Sequence, residues 1–90
     1  MARKSNRRSP RTRSVLVTRE VLCSMSGISA RQLLTWERED LLVPATTAGG
    51  DPLYEIAAVE RARVIRSLSE DLEVNLPGVA VILDLLERLR

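Results

Sequence analysis

Ninety residues with one tryptophan, one tyrosine, one cysteine and no histidine allow a single small domain with a modest aliphatic core. The missing histidine removes the commonest metal ligand and general base, and the lone Cys23 excludes an internal disulfide or a cysteine zinc site. No apolar run approaches the roughly 18–20 residues that cross a bilayer, and the basic N-terminus lacks the apolar stretch of a secretory signal. The expectation is a cytoplasmic, non-catalytic protein with no cofactor, no metal and no membrane segment.

The net charge of +2 conceals an asymmetry. Arg3, Lys4, Arg7, Arg8, Arg11 and Arg13 give the first thirteen residues six cations and no acid, so the remaining eight cations face all twelve acids, a net of −4. Nucleic acid is attracted to clustered Lys and Arg, not to an average charge, and the body of the chain has no such cluster. Residues 1–14, rich in Arg and Ser with almost nothing apolar, are read as a disordered basic leader. It serves as a solubilising segment or as a weak, salt-sensitive arm for nucleic acid or an acidic partner.

The first β-prone run is Val15-Leu16-Val17. Thr18 then caps a helix on which Val21, Leu22 and Met25 share one face. Gly27 suits the tight turn that follows, and Ser29 with Gln32 forms a capping box that opens a second helix through Glu39. Leu33 and Trp36 lie on its core face. Pro44 forbids continuation of a helix, and Ala45–Pro52 has the Gly, Thr and Asp content of a hairpin tip before Leu53-Tyr54. A third helix runs from about Glu55 to Asp71, with Val59, Ala62, Ile65, Leu68 and Leu72 inward and Glu60, Arg61, Arg63 and Arg66 outward. Asn75 caps a fourth helix with Pro77 in its first turn. Its apolar residues, Leu76, Val79, Ile82, Leu83, Leu85, Leu86 and Leu89, cover roughly 200° of arc, about twice what packing on a small domain uses. Deep insertion, pairing with a second copy or a partner-binding surface each account for that width.

This layout resembles the MerR superfamily of winged-helix proteins. The resemblance spans about residues 15–72. It rests on Gly27-Ile28-Ser29, Leu33, Trp36-Glu37-Arg38-Glu39, Leu41-Leu42 with Pro44, Gly49-Gly50 and Leu53-Tyr54. Glu70-Asp71-Leu72 followed by Asn75-Leu76-Pro77-Gly78 and the apolar last helix looks like the chaperone-modulator (CbpM-type) branch, with a related version in heat-shock repressors. The resemblance implies a mostly α fold: a MerR-like winged helix-turn-helix with a short β-wing over 15–72, and a C-terminal apolar interaction helix over 73–90.

By that resemblance, DNA-binding members carry Arg where this chain has Leu34, an aromatic or basic residue at Thr35, and cations or an aromatic-Arg pair near Ala45, Thr46, Asp51 and Pro52. The favoured reading is therefore a regulatory adaptor that binds and inhibits a DnaJ-like J-domain co-chaperone. Glu70, Asp71, Glu73, Leu85, Leu89 and Leu34 would carry the contact, acids matching a basic partner. Homodimerisation through the C-terminal helix is a further expectation. The alternative is a heat-shock-repressor-like transcriptional regulator that binds DNA through Arg31, Arg38 and the leader's Arg11 and Arg13. No phosphate loop, metal spacing or nucleophile–base pair suggests an enzyme.

Overall fold

The computed structural model describes residues 15–47 and 49–89. Strand β1 (Leu16–Thr18) leads into α1 (Arg19–Ser26), then α2 (Ala30–Arg38), strand β2 (Leu53–Glu55), α3 (Ala57–Arg66), a π-helical turn (Ser67–Asp71) and α4 (Leu76–Arg88). The fold is the mostly helical winged helix-turn-helix implied by the sequence.

Each early boundary has a local cause. Thr18 closes β1 and caps α1, its hydroxyl accepting the Val21 N–H at 3.2 Å. Gly27 stops α1 in the left-handed region at φ 80°, its N–H donating to the Cys23 carbonyl, a conformation costly for a residue with a Cβ. The capping box is complete: the Gln32 N–H donates to Ser29 Oγ at 3.1 Å, and the Ser29 N–H donates to Gln32 Oε1 at 3.0 Å. Helix α2 ends where Asp40 turns left-handed at φ 59° and the Leu41 N–H reaches back to the Trp36 carbonyl at 2.9 Å. That reversal places Leu41 and Leu42 in the core.

The wing is anchored by a strand from the other end of the domain. β1 and β2 pair antiparallel, with Leu16 opposite Glu55, Val17 opposite Tyr54 and Thr18 opposite Leu53. Thr46 bridges Leu53 from the other side. The pleat turns Val17 and Tyr54 inward together. They join Leu22, Ile28, Leu33, Trp36, Val59, Ala62 and Ile65 in one cluster, which Val79 and Leu83 of α4 complete.

Four expectations need correction. Val21 and Met25 are exposed; α1 instead buries Leu22 and Ser26, four apart, with the Ser26 hydroxyl donating to the Leu22 carbonyl at 2.7 Å. An eight-residue helix presents only a narrow stripe to its neighbours. The third helix starts at Ala57, because Glu55 pairs with Leu16 and the Ile56 N–H bonds to the Val15 carbonyl. It widens into a π turn at Ser67, so Leu72 leaves the stripe that Leu68 still follows and is solvent-exposed. Arg61 is half-buried, its Nε donating to the Leu41 carbonyl at 2.6 Å and its Nη1 bonding Glu87 at 2.8 Å.

Candidate functional site

Three surfaces carry the residues singled out from the sequence. The first is the outward face of α2. Arg31, Leu34 and Arg38 follow one another at helical spacing on a side opposite the buried Leu33 and Trp36. Both arginines are exposed and make no ion pair among the described residues, and Leu34 between them is 46% exposed. Beyond Arg38 the sequence offers no cation until Arg61, while Glu39, Asp40, Asp51, Glu55 and Glu60 fall within that interval. A helix with two guanidinium groups thus adjoins an acidic wing, which repels phosphate.

Helix α2 is fixed in place by contacts far apart in sequence. The buried Tyr54 hydroxyl of β2 donates to the Glu37 carboxylate, whose other oxygen lies 3.9 Å from Arg19. At its other end, Gln32 Nε2 donates to Glu70 at 2.6 Å, and Glu70 also accepts from Arg66 Nε at 3.3 Å.

The second surface is the acidic turn after α3. Glu70 and Asp71 belong to the π turn, Asp71 accepting the Ser67 hydroxyl at 3.3 Å. Glu73 follows in the left-handed region at φ 55° and is exposed, with no ion pair among the described residues. Glu70 is therefore partly engaged within the chain, whereas Glu73 is open to solvent. Local spacing could not reveal the Gln32–Glu70 bond, which joins residues 38 apart.

The third surface is α4. Its Asn75 cap accepts the Gly78 N–H at 2.9 Å, with Pro77 in the first turn. Only Val79 and Leu83 are fully buried in this helix. Val81, Leu85 and Leu89 form an exposed stripe four residues apart, with Leu86 beside it; Leu89 is 81% exposed. Arg88 bonds Asp84 at 3.0 Å near this stripe, an exposed pair of small energetic weight. The leader cations Arg11 and Arg13 lie outside the described residues.

A groove not foreseen from the sequence opens between α3, α4 and the segment after α2, with a volume of about 690 Å³. Leu41, Ala58, Val64 and Leu83 contribute its apolar floor, and Asp40, Glu55, Glu60 and Glu87 stand around it. Among the described residues no cluster of His, Cys, Asp and Glu is arranged to hold a metal, and no helix is long and apolar enough to cross a membrane. Burial pushes the half-buried Cys23 thiol above its ordinary pKa, which disfavours the nucleophilic thiolate.

Helix-turn-helix, wing and following helices define the class as a winged helix-turn-helix protein. The chain belongs to the MerR family: the family described as MerR HTH family regulatory protein matches residues 17–90. It is also similar to a protein of Streptomyces coelicolor described as putative heat shock protein HspR, at 32% identity over 65 residues. That match covers 72% of this chain and 43% of the relative, so the chain spans less than half of that protein's length.

Proposed function

We propose that this MerR-family chain is a non-catalytic regulator of a heat-shock or chaperone system, acting in the cytoplasm by binding protein. The observation that carries the reading is the exposed Val81–Leu85–Leu89 stripe of α4, on a domain whose wing carries acids and no cations. An apolar stripe with acids nearby suits a basic partner with an apolar contact surface. The resemblance to chaperone modulators points to a DnaJ-like J-domain co-chaperone as that partner. Leu85 and Leu89 would supply the buried contact, Glu70, Asp71 and Glu73 the charge complement, and Leu34 an apolar contact on α2. The same stripe offers a surface for homodimerisation.

A second reading is favoured by Arg31 and Arg38 on α2, which make no ion pair among the described residues, and by the similarity to the protein described as HspR. In that reading the chain is a heat-shock transcriptional regulator that places α2 in a DNA major groove, with Arg31 and Arg38 on phosphates or base edges.

One paired experiment separates the two. Titration calorimetry with a purified J-domain co-chaperone is run beside a DNA mobility assay on heat-shock promoter fragments over a salt series. Protein binding that is lost in Leu85→Glu and weakened by reversing Glu70, Asp71 and Glu73 supports the adaptor. A sequence-specific DNA shift that needs Arg31 and Arg38, with no heat of binding to the co-chaperone, overturns it in favour of the regulator.

A further inference from the structure

We propose that the groove between α3, α4 and the segment after α2 is the docking site of the chain's own basic N-terminal segment, residues 1–14. Position is the first argument. The Ile56 N–H donates to the Val15 carbonyl at 3.1 Å, so the described chain begins at the N-terminal end of α3, where Glu55 and Ala57 line the groove. An extended chain advances about 3.5 Å per residue, which keeps Arg13 within about 7 Å and Arg11 within about 14 Å of Val15. Both fall within reach of Glu55, whose strand pairs with Leu16 beside the groove, without any rearrangement of the domain.

Charge is the second argument. Among the described residues, Asp40, Glu55, Glu60 and Glu87 share the groove lining with one cation, Arg61. That arginine is already engaged by the Leu41 carbonyl and Glu87. Glu60 pairs with Arg63 at an exposed site, but Asp40 and Glu55 have no ion pair among the described residues. Residues 1–13 bring six cations and no acid. The apolar floor suits this occupant too, because arginine stems lie along apolar surface while their weakly hydrated guanidinium groups reach carboxylates. A covalent tether supplies an effective concentration on the order of millimolar, so weak individual contacts suffice. Docking draws the leader's cations toward the protein's own acids and away from external phosphate.

The test compares amide NMR spectra of the full chain with those of a full-length variant in which Arg7, Arg8, Arg11 and Arg13 are each changed to Gln. The expected result is a change confined to Glu55, Ala57, Ala58, Glu60 and Val64, independent of protein concentration and abolished by high salt, which screens the pairs. Leu33, Trp36 and Val79 should not move. A full-length Glu55→Lys, Glu60→Lys variant should shift the residue 7–13 amides to their high-salt positions. Groove amides that ignore the arginine changes overturn the proposal. So do shifts that grow with protein concentration, which mark a second copy as occupant, and shifts centred on the Arg31 face of α2 or on the α4 stripe.

Discussion

Helix α2 and helix α4 differ in how completely the rest of the protein constrains them. α2 has a reciprocal capping box at its start, a left-handed aspartate at its end, Leu33 and Trp36 in the core, and long-range bonds from Tyr54 and Glu70. α4 is longer and far more apolar, yet it buries fully only Val79 and Leu83 and leaves Val81, Leu85, Leu86 and Leu89 in solvent. Hydrophobic content alone therefore does not measure a helix's contribution to the fold. Each helix is capped, buries two residues fully and makes a long-range side-chain bond, Arg61 to Glu87 in the case of α4. Only the more apolar helix has a broad apolar surface left over for another molecule.

The largest effect that sharpens this contrast comes from the α2 core face. Leu33 is fully buried, so Leu33→Ala removes apolar contacts and leaves a cavity, at a cost of about 2–5 kcal/mol. A fall in the urea midpoint without loss of cooperativity measures it. A change as small as that of a surface substitution would mean that α2 is not the anchored element. Next is Tyr54→Phe, which keeps the ring in the core but deletes the hydrogen bond that ties β2 to Glu37. Losing a buried bond to a charged acceptor costs about 1–3 kcal/mol. Arg19 remains near the freed carboxylate, which puts the loss toward the lower part of that range. Ser29→Ala is smaller again, about 1 kcal/mol, because it breaks one half of an exposed capping box.

The sequence made α2 legible because its determinants are local. A serine three residues before a glutamine, a glycine at the turn and two core residues three apart all act within one or two helical turns. Asn75 and Pro77 revealed the start of α4 for the same reason. What escaped was decided elsewhere in the chain. The Ile56 bond to Val15 delayed α3, and the π turn at Ser67 displaced Leu72. Arg61 was drawn inward by a carbonyl twenty residues away. The candidate surfaces followed the same division. Exposure of Leu34 agreed with helical spacing, whereas the exposure of Leu85 and Leu89 on an apolar arc shared with Val79 and Leu83, the engagement of Glu70 by Gln32 and the acid-rimmed groove depend on elements meeting in space.

The smallest expected stability change tests the other side of the contrast. Leu85 is more than half exposed and lies on the stripe with Val81 and Leu89. Leu85→Glu removes few packed contacts and leaves Val79 and Leu83 in place, so stability should move by no more than about 0.5 kcal/mol. Binding should respond differently, because a carboxylate forced into an apolar interface is desolvated without a partner. If the stripe meets a J-domain co-chaperone or a second copy, calorimetry or sedimentation should show association weakened at least tenfold while the urea midpoint stays near that of the parent chain. A large loss of stability in the monomer would instead mean that Leu85 packs against its own domain and that α4 is as constrained as α2.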